Sequence, residues 1–218
     1  MSNTFRYAPQ VFLQPDEANA KAIILTPEQG LAPEERWIKE TEWLLGGARP
    51  RIAFDTDGLV LDYGCGIGRV AKRLRQPVLG VDISSTMRAQ AEGYVARSDF
   101  GCVSPPMLAE LERSGLRCRG AVAVWVLQHC RDVQRDVHLI AAVLAKGATF
   151  IVLNRRHRAV PVTNGNGLSW WDDGIDIDEI LGRLFVKTHV EPVPESLCAP
   201  GAFLTRWRRS DAEPARYS

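Results

Sequence analysis

The sequence predicts an α/β protein with a doubly wound, mostly parallel sheet of seven strands and one antiparallel strand near the C-terminus. Three observations predict this class. Short apolar runs alternate with stretches of helical period, a closely spaced glycine turn follows the first run, and two apolar runs close the chain around Pro200 and Gly201. The predicted strands lie at 59–61, 78–82, 100–104, 121–127, 149–153, 185–190 and 203–207.

Length and composition indicate one globular domain. The chain has 218 residues, 45% of them hydrophobic and 24% charged. We divide it into an N-terminal extension with a capping helix (1–50), a main domain (51–210) and a frayed tail (211–218). The formal net charge of +1 gives no reason to expect binding to duplex DNA or to a membrane surface. No apolar run reaches the roughly 20 residues of a membrane span, and the chain starts without a signal-peptide pattern. We therefore expect a cytoplasmic monomer or homodimer.

The cysteines predict neither disulfides nor a metal site. There are five, an odd number, and no Cys-x-x-Cys pair occurs. Buried thiols in a reducing compartment explain this pattern, so we expect no bound metal.

A glycine turn follows directly on the first strand. A dinucleotide-binding fingerprint places its third glycine three positions after the second, whereas Gly68 comes two positions after Gly66. The strand ends in Asp62, and a carboxylate there repels a pyrophosphate but suits a cation. S-adenosylmethionine (SAM) carries a sulfonium and an ammonium group. The residues therefore favour SAM over NAD, and we expect a helix to follow the turn.

The same stretch resembles the first motif of the class I SAM-dependent methyltransferase family, apolar-apolar-Asp-x-Gly-x-Gly-x-Gly. The resemblance implies a Rossmann-like fold and methyl transfer from SAM. It also implies cofactor contacts at the motif residues Asp62, Gly64, Cys65, Gly66 and Gly68.

The second strand ends in Asp82, followed by Ile83 and, after a helix start, Met87. A carboxylate at this strand end accepts two hydrogen bonds from ribose hydroxyls when an adenosine lies across the strand tips. The segment resembles the second motif of the same family, in the correct order along the chain. We expect all three residues to contact the cofactor.

At the end of the third strand, Ser104 stands where the family often has an acid that holds the adenine amino group. Asp99 is the alternative for that contact. Ser104 also begins a Ser-Pro-Pro-Met sequence, which resembles the signature of amino methyltransferases that act on DNA bases. Met107 replaces the stacking aromatic residue, however, and the signature belongs after the fourth strand, so we interpret 104–107 as a turn into a helix.

The fourth strand is the most apolar and is followed by polar residues. Ligands bind beyond the carboxyl ends of strands in such sheets, so Trp125 is expected at the cofactor and Gln128 and His129 at the methyl acceptor. His129 is the candidate general base for a hydroxyl acceptor, because an ordinary histidine has a pKa near 6.5. An amine acceptor needs only orientation, from Gln128 or Asn154.

The stretch 155–173 is predicted to be a long loop at the carboxyl end of the sheet. It begins with the basic group at 155–158 and includes Trp170 and Trp171. We interpret it as a substrate lid, with a solvated loop pinned by a tryptophan as the alternative. Residues 1–31 have two interpretations, a lid or an extension packed by its aromatic residues. The candidate substrate-binding residues are Asn154, Arg156, Trp170 and Trp171.

These observations predict a SAM-dependent methyltransferase that acts on an oxygen or nitrogen atom of a small metabolite. The basic group at 155–158 supports an alternative acceptor, RNA or another phosphorylated molecule. A third alternative is a SAM-binding regulatory module without catalysis.

Overall fold

A seven-stranded sheet and a small three-stranded sheet organise the chain in a computed structural model that describes residues 5–165 and 167–210. The strands are β1 (Arg6–Tyr7), β2 (Val60–Tyr63), β3 (Val78–Val81), β4 (Phe100–Val103), β5 (Cys118–Val124), β6 (Leu144–Arg155), β7 (Val160–Asn164), β8 (Gly167–Trp171), β9 (Phe185–Pro192) and β10 (Ala202–Arg209). The α-helices are α1 (Glu17–Ile24), α2 (Pro33–Leu45), α3 (Ser85–Val95), α4 (Pro105–Arg113), α5 (Val133–Val143) and α6 (Ile177–Gly182).

The large sheet has the strand order β4-β3-β2-β5-β6-β10-β9, and β10 runs antiparallel to both of its neighbours. The predicted fold class is therefore confirmed. The order along the chain reverses between β2 and β5, which places a crevice beyond their carboxyl ends. That crevice is where a ligand site is expected in an open α/β sheet.

Apolar side chains fill both faces of this sheet. Neighbouring residues on a strand point to opposite faces, so Val60 packs with α2 and α3 while Leu61 packs with α5 and α6. Both side chains are fully buried. The sheet is thus covered on both sides, which leaves the carboxyl ends of its strands as the open edge.

The predicted helix after the glycine turn is wrong. Only a short 3-10 turn forms there, at Ala71–Arg73, because residues 69–77 must also return the chain to β3. Arg97 satisfies the carbonyl groups that a helix would have used. Its guanidinium donates to the oxygens of Ala71 at 2.8 Å and Gln76 at 2.7 Å, and also to that of Leu74.

The predicted loop at 155–173 is also wrong, because it contains a β-hairpin. β7 and β8 pair antiparallel, with Asn164 opposite Gly167, and β1 adds to β7 as a third strand. Asn-Gly sequences favour tight hairpin turns, and the alternation around Val160 and Val162 supplies a strand pattern. The N-terminal segment is thereby joined to the hairpin rather than hanging free.

Residues 211–218, predicted to be a frayed tail, lie outside the described residues. Within the described ranges, no helix combines the length and apolar character needed to cross a membrane.

We predict that Arg97→Ala lowers the free energy of unfolding by about 2 kcal/mol or more, because hydrogen bonds from a charged donor contribute about 1.5–3 kcal/mol each. Urea unfolding monitored by circular dichroism measures the change. Arg113→Ala is the control, since its exposed ion pair with Glu110 is expected to contribute less than about 1 kcal/mol. Equal effects of the two substitutions would contradict the bracing role of Arg97.

Candidate functional site

A cavity of about 650 Å³ opens at the carboxyl ends of β2, β3, β4 and β5. Residues at each strand end line it: Gly64 after β2, Asp82 after β3, Ser104 after β4 and Trp125 after β5. The volume lies within the range of small-molecule sites, about 300–1,000 Å³. The cavity therefore sits at the topological reversal, where the fold predicts a ligand.

Two glycines of the turn form part of the cavity wall. Gly64 and Gly66 have φ angles of +73° and +55°, which side chains rarely adopt. A Cβ on Gly64 would lie 2.2 Å from Val126, and one on Gly66 would lie 2.6 Å from Ile24 of α1. Glycine is thus required for backbone conformation and for close packing at both positions.

Asp82 forms the polar wall beside this turn. Its carboxylate accepts hydrogen bonds from the backbone amides of Gly66 and Ser84, both at 2.8 Å. Burial raises the pKa of Asp82, and the two amide bonds oppose that rise. A carboxylate has about four acceptor sites, so two are left for a ligand in the cavity that Asp82 lines.

Asp62 lies elsewhere than the sequence analysis expected. Its side chain is 2% exposed, accepts a hydrogen bond from the amide of Ala71 and is not part of the cavity lining. Burial raises the pKa of Asp62 to about 7. The group is therefore partly protonated at neutral pH, and the inference that it presents a fixed anion to a cationic ligand does not hold.

Cys65 and Gly68 also face away from the cavity. The Cys65 sulfur lies 3.4 Å from the sulfur of Cys102, and the position of a Gly68 Cβ is taken by Val95. These two motif residues therefore support the turn on the side away from the cavity.

Ile83, Met87, Ser104 and Trp125 all line the cavity, in agreement with the expected positions. Ser104 also caps α4 by accepting from the Met107 amide, as the turn interpretation of 104–107 predicted. The alternative adenine contact, Asp99, instead pairs with Arg97 outside the cavity.

Trp125 is held in a left-handed conformation with φ +59°, which costs about 1–3 kcal/mol for a residue other than glycine. Its indole nitrogen donates to Glu40 at 2.7 Å, and Arg69 donates to the same carboxylate oxygen at 2.9 Å. Glu40 is fully buried. The strained tryptophan is therefore fixed from below by a buried ion pair.

His129 lines the cavity, but Gln128 does not. The Gln128 side chain is 5% exposed and bridges two groups, the Arg155 amide at 2.8 Å and the His129 ring at 3.1 Å. The other ring nitrogen of His129 lies 2.6 Å from the carbonyl oxygen of Ala159.

Aromatic contacts connect the hairpin to the N-terminal segment. Trp170 packs against His129 at 5.3 Å and Phe12 at 6.4 Å between ring centroids. Trp171 stacks on Phe5 at 5.5 Å with an interplanar angle of 7°. Neither tryptophan lines the cavity itself.

The basic group at 155–158 is largely paired with acids. Arg155 pairs with Glu28, His157 with Asp172 and Arg158 with Asp173. Arg156 is exposed and lies over the Phe203 ring, while Asn154 is buried opposite Phe203 in the sheet. Neither Asn154 nor Arg156 reaches the cavity, so the structure does not place these two candidates at the site.

Sequence reasoning missed two parts of the cavity wall. The first comes from the N-terminal segment, where Asp16 caps α1 and is the one sequence signal for that helix. The second is a polar pair in which Tyr63 donates to Asp136 at 2.7 Å. No local sequence pattern predicts this pair, because the two residues are far apart in sequence. These two parts contribute Ile23, Ile24, Tyr63 and Asp136, which were not candidates, together with Tyr7 and Phe12 of the segment 1–31, for which a lid was one of two interpretations.

Comparison with known protein families finds a match in the central part of the chain. The methyltransferase domain family matches residues 61–152. No protein among those with curated functions matches the sequence.

Solved structures match with the same fold. The PH0226 protein from Pyrococcus horikoshii OT3 has a TM-score of 0.61 at 15% identity, over 87% of this chain and 96% of that one. The N-methyltransferase NodS from Bradyrhizobium japonicum WM9, solved with S-adenosylhomocysteine (SAH), has a TM-score of 0.58 at 12% identity, over 89% and 93%. The 1,6-didemethyltoxoflavin-N1-methyltransferase of Burkholderia thailandensis, solved with 1,6-didemethyltoxoflavin and SAH, has a TM-score of 0.53 at 21% identity, over 71% and 72%.

The glycine turn, the carboxylate after β3 and the strand order agree with these matches. Residues 61–152 match the methyltransferase domain family, and this chain is a SAM-dependent methyltransferase with the class I fold.

Proposed function

We propose that this enzyme methylates a nitrogen or oxygen atom of a small-molecule metabolite that enters the cavity beneath the N-terminal segment. The observation that carries this proposal is the single cavity lined both by the cofactor turn and by residues of the first 25 positions. Cofactor and acceptor would meet in that enclosed space.

The residues at the strand ends fit SAM. The two glycines allow the close approach of Val126 and Ile24 that shapes this wall, and Asp82 keeps acceptor capacity for two hydroxyl groups. Asp82 would hold the ribose, while Ile83, Met87 and Ser104 would surround the adenine and Trp125 would border the methionine end. SAM, when bound, supplies a methyl group on a sulfonium that is already a good electrophile.

The protein's own contribution is placement and exclusion of water. Most of the rate enhancement in such a transfer comes from holding the reacting atoms in line, about 3–3.5 Å apart. Tyr7, Phe12, Ile23 and Ile24 line the cavity from the N-terminal segment, so we assign the lid function to this segment. The hairpin of β7 and β8 then serves as the support to which the lid is attached.

The paired basic group favours a metabolite over RNA. Three of the four side chains in the basic group at 155–158 are already paired with carboxylates of the same chain, which leaves little cationic surface for phosphates. Two of the similar solved structures are N-methyltransferases, one of them solved with 1,6-didemethyltoxoflavin, whereas another, CurJ, is a carbon methyltransferase.

Calorimetric titration with SAM, SAH and NAD tests the cofactor, and incubation of a metabolite extract with isotopically labelled SAM tests the acceptor. We expect SAM and SAH to bind and a labelled small molecule to form. Label in an added RNA fraction with strong salt dependence would support the RNA alternative. SAM binding without any labelled product would support the regulatory module.

We predict that Asp82→Asn weakens SAH binding by about tenfold or more. The amide has one acceptor oxygen fewer and places an NH₂ group against a backbone donor, and loss of a charge-assisted hydrogen bond costs about 1.5–3 kcal/mol. Calorimetry gives the affinity. Asp99→Asn is the matched control, because its carboxylate lies outside the cavity; an unchanged SAH affinity in folded Asp82→Asn would remove Asp82 from the cofactor site.

We predict that Trp170→Ala loosens the lid, because it removes ring contacts to both Phe12 and His129. Hydrogen exchange of amides in residues 5–25 should become faster, and SAH should dissociate faster in stopped-flow fluorescence. Ile175→Ala is the control, since Ile175 is similarly exposed, at 41% against 45%. Equal exchange in the two variants would argue against attachment of the lid through Trp170.

A further inference from the structure

Both ring nitrogens of His129 are engaged by the protein. Nδ1 lies 2.6 Å from the carbonyl oxygen of Ala159, and Nε2 lies 3.1 Å from the side-chain nitrogen of Gln128. A carbonyl oxygen only accepts hydrogen bonds. The Nδ1 atom must therefore carry a proton.

Gln128 fixes the state of the second nitrogen. The backbone amide of Arg155 can only donate, so the Gln128 atom 2.8 Å away from it is the side-chain oxygen. The other end of the Gln128 amide is then the NH₂ group, which donates to Nε2 of His129. In addition, the backbone amide of Ala159 donates to the backbone carbonyl oxygen of Gln128 at 2.9 Å. His129 is thus neutral, with its one lone pair occupied.

The surroundings disfavour a charged ring. Burial lowers the pKa of His129, the Ala159 hydrogen bond raises it, and the Arg158 guanidinium lowers it. Phe12 and Trp170 pack on the ring from the lid and the hairpin. The titratable or charged residues that line the cavity with His129 or act on its ring include Tyr7, Cys130, Arg131, Asp132, Arg135, Asp136 and Arg158.

We propose that His129 is a positioning residue, a neutral ring held in one tautomer that closes the acceptor end of the cavity, and that the methyl acceptor is an amine. This inference rests on the proposed methyl transfer. A hydroxyl acceptor benefits from a base that removes its proton, and His129 has no free lone pair for that task.

An amine that binds in its neutral form needs no such base. Its own lone pair forms the new N–C bond, the electron pair of the broken C–S bond stays on the donor sulfur, and the amine proton leaves to water afterwards. Among the other lining groups, burial raises the pKa of Asp136, but its carboxylate already accepts hydrogen bonds from Tyr63 and Cys130. Burial raises the pKa of Tyr7 to about 12 and that of the Cys130 thiol well above its usual range, so both stay protonated.

Nitrogen-detected NMR of ¹⁵N-histidine-labelled full-length protein tests the tautomer without any acceptor. The histidine signals that are missing in the spectrum of the His129→Gln variant are assigned to His129. We expect a protonated Nδ1 and a non-protonated Nε2 across about one unit either side of pH 6.5. A proton on Nε2, or titration of the His129 ring within this pH range, would overturn the proposal.

Gln128→Glu provides a matched variant of nearly the same shape. The carboxylate accepts from Arg155 as before but offers no donor, so Nε2 of His129 must become a donor. We expect the pKa of His129 to rise above that of the wild type and its ring to titrate. An unchanged ring in the folded variant would contradict the role given to Gln128, and a variant that does not fold leaves the wild-type spectra as the test.

Calorimetry with SAH separates this inference from the proposed function. SAH binding with the wrong tautomer overturns the inference alone, whereas the expected tautomer without SAH binding overturns the function. With a labelled acceptor in hand, kcat is expected to show no inflection attributable to His129, and product analysis is expected to place the label on nitrogen. A label on oxygen would exclude the amine.

Discussion

The site depends on one hydrogen bond, from the Gly66 amide to the Asp82 carboxylate at 2.8 Å. It joins the turn after β2 to the end of β3 and sets the width of the crevice between them. The bond forms only because left-handed glycines bring the backbone close to the carboxylate, with Ile24 filling the space where a Cβ would stand. This one bond therefore fixes the glycine turn, its contact with Ile24 and the end of β3 relative to one another.

Beneath this turn the protein keeps a buried group of charges. Glu40, Arg36 and Arg69 are each at most 4% exposed, and Arg36 lies 3.4 Å from Glu40. Buried ion pairs rarely add net stability compared with apolar packing. Here they hold Trp125, whose strained backbone forms part of the cavity wall, and the charges therefore serve the shape of the site more than the stability of the fold.

The N-terminal segment, proposed as a lid, is connected to the end of the cavity that His129 lines. Arg155 pairs with Glu28 of the N-terminal region and also donates its amide to Gln128, which orients His129. The basic group that suggested phosphate binding thus links the lid to the acceptor end of the cavity. A long polar stretch with paired tryptophans is typical of a loop, but its alternating valines form a hairpin once β1 is available as a partner.

The sequence by itself determined the sheet, the cofactor turn and the residues Asp82, Ile83 and Met87, because strand periodicity and glycine spacing act over a few neighbouring residues. Tertiary structure decided the rest. Asp62 turned away from the cavity because the Ala71 amide lies within its reach, and His129 lost its lone pair to a glutamine whose orientation is set by a distant strand. Hydrogen-bond partners far apart in sequence leave no local pattern, so the chemistry of a side chain is fixed only when the chain has folded.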